Sequence, residues 1–369
     1  MSHPARDLVV AALVLGAIAL FAVSGCGGSH SATSAGATAP NDSATAAARH
    51  FLDRYVTADG RVQRIDQGGD TVGEGQAYGM LLAAALGDQQ RFNAIWGWTK
   101  ANLRRSDGLL AFLWKDGRVQ DSQAASDADL DAARALLVAA CRFKSPALRQ
   151  EAVALGKAIL SKETVTQNGT PVLTAGPWAT KAPITLDPSY FSPATFAALR
   201  AASGDSRWDG LSTSAHAITS ALMRAPSRLP PDWARLEGGR PVPVGPPGDP
   251  QAPAEFSFDA PRTLVRMDED PDPAGRRIAA RAWPVFDGQD PAKLPVEHDL
   301  TGRAIGSEFH PIVLVGAAAA ADAAGNTAAR DRFLAAAAAL DARSPTYYGA
   351  AWVALGRVML TTNLLDTCS

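Results

Sequence analysis

Cysteine is scarce in this chain: three in 369 residues, at positions 26, 141 and 368. Thiols so few and so scattered cannot build a zinc ribbon, an iron–sulfur site or a disulfide scaffold. Excess positive charge is missing too. Thirty-five Lys and Arg stand against 37 Asp and Glu, a formal net charge of −2, so nothing is left over to neutralise a phosphate backbone and nucleic acid is excluded as a partner. No Gly-x-Gly-x-x-Gly turn follows a strand-like run, which leaves a nucleotide cofactor without a foothold. Heptad runs and blocks of like charge do not occur. The alternation of apolar and polar residues that marks a half-buried strand is confined to short pieces such as Val165 to Leu173. What remains is an ordinary globular composition, 47% hydrophobic and 20% charged, long enough for two average domains or one large repeat-built one.

The apolar run Leu8 to Val23 carries no charge, but it is short for a span of hydrocarbon and matches the core of a secretion signal, with Arg6 as a weak positive flank. Val23-Ser24-Gly25-Cys26 follows it and resembles a lipobox, in which Cys26 becomes the lipidated first residue of the mature protein. An ordinary cleaved signal is the alternative. Gly27 to Asn41 is almost entirely Gly, Ala, Ser and Thr, cannot bury enough surface to fold, and reads as a tether. The expected division is a signal over residues 1–25, a flexible tether over 26–42 and one domain over 43–369. In either case the domain is exported, to the periplasm or as a lipoprotein anchored at the outer membrane, and it meets a membrane only through a lipid. Whether Cys141 and Cys368 pair is open.

From about Ser43 the apolar spacing is helical, which predicts an all-α fold. About twelve segments of similar length begin near Ala44, Glu74, Gln89, Asp127, Pro146, Pro193, Arg207, Pro261, Ala274, Glu308, Thr327 and Tyr347. Breakers such as Leu86-Gly87-Asp88 and Ser203-Gly204-Asp205 leave only short connections, suited to antiparallel pairs. Within a pair one member is apolar all round, as in Ala77 to Leu86, and the other is charged on one side, as in Asp88 to Arg105. Six hairpins in a two-layer ring, apolar members inside, satisfy both kinds. The proline-rich stretch Leu229 to Pro253 cannot be helical and is expected to be an irregular binding loop or insert.

Three acidic positions stand in unusual company. Glu74 is flanked by Gly73 and Gly75 and opens a neutral helix, with the next carboxylate onward at Asp88. Such a group is partly desolvated, so its pKa rises and it can hold a proton near neutrality; a first-turn Glu also simply offsets the helix dipole. In Ala125-Ser126-Asp127-Ala128-Asp129-Leu130-Asp131, Ser126 and Asp129 have capping-box spacing, while Asp127 and Asp131 share a helix face where like charges repel. A calcium loop would need more oxygen donors and a distal Glu. Asp259 precedes Pro261, as an N-cap residue would, and Arg262 is close enough to hold it ionised, as a general base requires. Aromatic rings are plentiful nearby, and rings beside carboxylates bind the C–H faces of sugars. Trp114, Tyr190, Arg262 and Tyr347 are the candidate substrate-binding residues.

These motifs resemble glycoside hydrolase family 8, best known for bacterial endo-β-1,4-glucanases, over about Asp42 to Leu365. Ala125 to Phe143 matches the pattern Ala-Ser/Thr-Asp-Ala/Gly-Asp followed by a small-residue helix, with Ala132 where Ile or Met is usual, a change that weakens packing rather than chemistry. Val72 to Met80 is similar to the segment bearing the proton donor, with Gly73 in place of Ser. Pro188-Ser189-Tyr190-Phe191-Ser192-Pro193, Leu229 to Ala234 and Phe258-Asp259-Ala260-Pro261-Arg262 fall in the family's order, the last resembling Tyr-Asp-Ala-x-Arg.

The resemblance implies an (α/α)6 barrel and inverting hydrolysis without metal or organic cofactor. It implies that Glu74 protonates the glycosidic oxygen, that Asp259 activates the attacking water, and that Asp127 supports the distorted sugar. A nucleophile is the other role given to that aspartate in the family, but inversion in one displacement needs a water. The expected activity is endo-acting cleavage of β-1,4-glucan by a monomer at the cell envelope, with exopolysaccharide synthesis machinery as a partner. Chitosanase or xylanase action on the same fold, and a non-catalytic glycan-binding lipoprotein, are the alternatives.

Overall fold

The computed structural model describes residues 40–249 and 251–368. The expected signal, Cys26 and nearly all of the tether lie outside the described residues. Helices begin where a short polar side chain can take a free amide. Asp88 accepts from Arg91 N and opens α3 (Gln89–Asn102), Ser145 accepts from Leu148 N ahead of Pro146 in α5 (Pro146–Lys162), and Asn326 accepts from Ala329 N in α12 (Thr327–Arg343). Each such cap contributes about 1 kcal/mol. Glycines in the left-handed region end others: Gly87, φ 69°, closes α2 (Gly73–Leu86), and Gly204, φ 75°, closes α6 (Pro193–Ser203).

Apolar coverage then decides which helix goes inside. α2, α4 (Ser126–Arg142), α8 (Ala260–Asp268), α11 (Pro311–Ala323) and α13 (Tyr347–Thr361) are buried along most of their length. Together with α6 they close a ring: α2 meets α4, α4 meets α6, α6 meets α8, α8 meets α11, α11 meets α13, and α13 returns to α2. α1 (Pro40–Tyr55), α3, α5, α7 (Arg207–Leu222), α9 (Pro273–Ala279) and α12 pack outside it. This is the expected (α/α)6 barrel, with one added helical turn, α10 (Trp283–Phe286). Small residues let the inner helices approach closely. At Gly316 in α11 a Cβ would stand 2.7 Å from Pro261 Cβ, so α8 and α11 could not keep their spacing.

Small sheets decorate the barrel where the sequence shows little alternation, because their strands are too short to express a period. β1 (Thr71–Val72), β2 (Leu113–Lys115) and β3 (Arg118–Asp121) form one, with Val72 opposite Leu113 and Thr71 opposite Trp114. β4 (Thr164–Gln167) and β5 (Thr170–Leu173) form the hairpin expected near Val165. The third, β6 (Ile184–Leu186), β7 (Trp233–Glu237) and β8 (Arg240–Val244), corrects the expectation of an irregular Leu229 to Pro253 loop. Its prolines are tolerated because Pro241 and Pro243 lie on the edge strand β8, where a missing N–H is not needed for pairing. Gly238 and Gly239, both at positive φ, make the tight turn between β7 and β8.

Cys141, at the end of α4, is joined in a disulfide to Cys368, with Cα atoms 5.4 Å apart at a sequence separation of 227.

Candidate active site

The inner helices present their first turns to one mouth of the ring, so side chains at their starts converge there. β1 runs straight into α2, and Gly73 N donates to Phe112 O, which fixes where Glu74 emerges. Gly75 is required behind it: a Cβ there would fall 2.5 Å from the Tyr347 hydroxyl. Asp127 enters from α4, its Oδ1 accepting from Ala128 N at 2.8 Å. Asp259 enters from the residue before α8.

One guanidinium gathers all three. Arg262 Nη1 donates to Asp127 Oδ2 at 3.0 Å and lies 3.5 Å from Glu74 Oε2, while Nη2 donates to Asp259 Oδ1 at 2.5 Å. The Tyr78 hydroxyl, one turn along α2 from Glu74, accepts from Arg262 Nη1 at 3.2 Å and donates to Glu74 Oε2 at 3.4 Å. The ring of Tyr190 lies 5.3 Å from the Arg262 guanidinium carbon, a cation–π contact that a planar guanidinium makes well. Asp187 adds a fourth carboxylate, 3.8 Å from Nη2.

The like-charge repulsion expected between Asp127 and Asp131 is resolved by a matching pair one helix away. Arg262 and Arg266 have the same four-residue spacing on α8, and Arg266 Nη2 takes Asp131 Oδ2 at 2.6 Å. Asp129 points elsewhere: its Oδ1 accepts from Leu110 N at 2.9 Å and so braces the chain ahead of Phe112.

Burial and charge set the proton affinities. Glu74 is pushed up to about 7, first by burial and then by the Asp127 carboxylate, with Arg262 and Arg64 pulling the other way. Its side chain nevertheless keeps 21% of its surface open, and Asp259 keeps 30%, so neither is sealed from solvent. Asp127 is also raised by burial, against the pull of Arg262. The cleft beside Glu74 and Asp127 is lined by Gly73, Phe112 and Tyr190.

The three acids and Tyr190 thus come together as the sequence suggests, and several assignments need correction. Tyr347 is 1% exposed, wedged against Phe51 and Tyr55, and presents no face to a sugar. Arg262, 2% exposed, lies beneath the acids rather than against a ligand. Trp114, half-buried, stands on the same wall as Glu74 and packs between Trp98 and Arg61, while Phe112 lines the cleft beside Glu74 and Asp127. Ser126 and Asp129 form no capping box, because Ser126 Oγ donates to Thr174 O. Asp259 caps nothing with its side chain. The sequence reading missed Tyr78, whose four-residue spacing from Glu74 was the available signal, and Asp187 and Asp232, which only the sheet β6–β7 brings to the mouth.

Comparison with known proteins agrees with this geometry. The model of glycosyl hydrolases family 8 matches residues 28–360. An endoglucanase of Escherichia coli is 32% identical over 279 residues, 69% of this chain and 72% of that protein. A probable endoglucanase of Novacetimonas hansenii is 32% identical over 220 residues, 57% of this chain, and the match spans 62% of that relative's length. Among solved structures, the endo-β-1,4-glucanase CMCax of Acetobacter xylinum aligns with a TM-score of 0.73 at 29% identity, over 88% of this chain and 100% of that one. A β-1,3-1,4-glucanase of Paenibacillus, at a TM-score of 0.79 and 21% identity over 87% of this chain and 92% of that one, shares the fold. A ring of paired helices whose inner starts carry the Glu74, Asp127 and Asp259 segments in the family's order is what such a match should look like, and the chain belongs to glycosyl hydrolases family 8.

Proposed function

We propose that the protein is an endo-acting β-1,4-glucanase that inverts the anomeric centre in one displacement. Glu74, its affinity raised to about 7, keeps its proton near neutrality and gives it to the departing glycosidic oxygen. Asp259, open to the cleft, takes a proton from a water that attacks the opposite face of the sugar. Asp127 sits between them, buried and tied to Arg262, where its charge supports the positive character that develops on the ring. Glu74 and Asp259 reach the two ends of one guanidinium, at 3.5 and 2.5 Å, and an inverting pair needs its carboxyls roughly 6.5–9.5 Å apart with room for a water between them. Tyr190 and Phe112 offer ring faces at the cleavage subsite.

The observation that carries this reading is that a buried-cation fork, Arg262, joins Glu74 to a partly exposed Asp259, with burial and Asp127 raising the proton affinity of Glu74. The names of the endoglucanase relatives support β-1,4-glucan as the polymer. Release of reducing sugar from carboxymethylcellulose, chitosan and xylan, measured side by side, tests it: carboxymethylcellulose should be cut fastest, and exclusive cleavage of either other polymer would move the substrate.

The same proposal extends to location. Val23-Ser24-Gly25-Cys26 and the tether that follows favour a lipid on Cys26 and work at the cell envelope, beside the machinery that makes exopolysaccharide. A disulfide between Cys141 and Cys368 fits an oxidising compartment. Mass spectrometry of the mature N-terminus should find diacylglycerol on Cys26; an unmodified N-terminus in the soluble periplasmic fraction would exclude the anchor.

A further inference from the structure

Asp259 occupies the N-cap position of α8, where an aspartate ordinarily turns its carboxylate back onto the helix amides. Here it does not. Pro261 has no amide to offer, and Arg262 N is already bound to Asp259 O at 3.0 Å. The amide that opens the helix, Ala260 N, is taken by a different residue: Asp232 Oδ1 accepts from it at 2.7 Å and from Ser257 N at 2.9 Å. One oxygen therefore grips the turn on both sides of Asp259. Asp232 is itself fixed, 8% exposed at the foot of β7, with its own amide donating to Glu255 O at 2.8 Å. On the other face of the turn the Tyr348 hydroxyl donates to Phe258 O at 2.9 Å.

We propose that Asp232 is a positioning residue for the reaction: it caps α8 in place of Asp259 and holds the turn so that the Asp259 carboxylate faces the cleft. The inference rests on the assignment of Asp259 as base. Burial and the Asp259 charge push Asp232 up to about 8. Near neutrality it therefore accepts both amides as a mainly neutral acid and adds little negative charge beside Asp259.

The test compares D232A, D232S and D232N with wild type and D259N, on cellopentaose, with amide exchange followed in parallel. D232A removes the acceptor, and D232S is too short to reach both amides, so either carries the expectation if the other fails to fold. A misplaced base should lower kcat by about a hundredfold with KM little changed, and exchange at Ser257 and Ala260 should quicken by at least about tenfold, while the melting temperature falls by only about 2–4 °C, as for a lost helix cap. D232N keeps an acceptor oxygen and should recover at least about tenfold of the lost rate and the slow exchange. Because Asp232 acts through Asp259, D232A in the D259N background should cost nothing further. Unchanged kcat and exchange in D232A, or a full additive loss in the double variant, would overturn the proposal. If wild type released no sugar, the assigned function would fall, while exchange at Ser257 and Ala260 would still decide whether Asp232 holds the turn.

Discussion

Arg262 holds Asp259 twice: its amide donates to Asp259 O at 3.0 Å, and its Nη2 donates to Asp259 Oδ1 at 2.5 Å. The same side chain then reaches Asp127 and Glu74, so the three acids proposed as base, support and acid share one buried cation.

Replacing that cation should therefore cost both stability and rate. R262M leaves four acidic side chains around an empty centre and should lose about 3–5 kcal/mol, the usual consequence of breaking a buried pair. R262K keeps the charge, but one ammonium cannot serve two carboxylates as a fork does. It should fold and lose at least about tenfold in kcat/KM, while R262M melts far earlier. Wild-type stability in R262M, by thermal melting, would show the cluster to be held by something else.

As the proposed acid, Glu74 should set the alkaline limb of activity. It must be protonated to act, and it stands raised to about 7, so the rate should fall as pH climbs through that value. Asp127 is one cause of the raised value. D127N should accordingly move the limb to lower pH as well as slow the reaction. E74Q, unable to donate, should lose at least about a thousandfold on unactivated polymer while still binding oligosaccharide. Near wild-type hydrolysis by E74Q would remove Glu74 from the chemistry.

A second buried acid should show in stability rather than rate. Glu163 is fully buried, neither carboxyl oxygen has a hydrogen-bond partner among the described residues, and burial with the nearby Asp129 charge raises it well above its ordinary 4.5. The fold keeps that proton where the unfolded chain has lost it. Glu163 therefore contributes stability below about 4.5, and that contribution is lost as pH rises toward the folded value. E163Q cannot ionise and should melt higher than wild type at pH 8 by at least about 2 °C, with the gap closing toward pH 4.5. Parallel melting profiles would contradict the assignment.

The barrel was readable because its signals are local and repeated: breakers such as Leu86-Gly87-Asp88 and Ser203-Gly204-Asp205, and the contrast between neutral and one-sided helices. Glu74, Asp127 and Asp259 were readable because each breaks its surroundings, a charge in a neutral turn or two on one face. Tyr347 was misread for the opposite reason. An aromatic at a helix start looks the same whether it faces the cleft or, as here, packs behind Gly75 against Phe51 and Tyr55. Asp232 and Asp187 carried no signal of their own. Neighbouring strands of one short sheet set them together, and pairing across 47 residues, as between Leu186 and Ala234, is not written in either strand.

The central claim is that Asp259 acts on a water and not on the sugar. Inversion needs carboxyls roughly 6.5–9.5 Å apart with room for that water, whereas retention needs about 5–5.5 Å and a protein nucleophile, for which Asp127 would be the nearest acid. Proton NMR of the anomeric signals during the first minutes of cellopentaose hydrolysis separates the two before mutarotation blurs them. The α-anomer should appear first at the new reducing end; a β-anomer appearing first would contradict the water mechanism, whatever polymer the enzyme proves to cut.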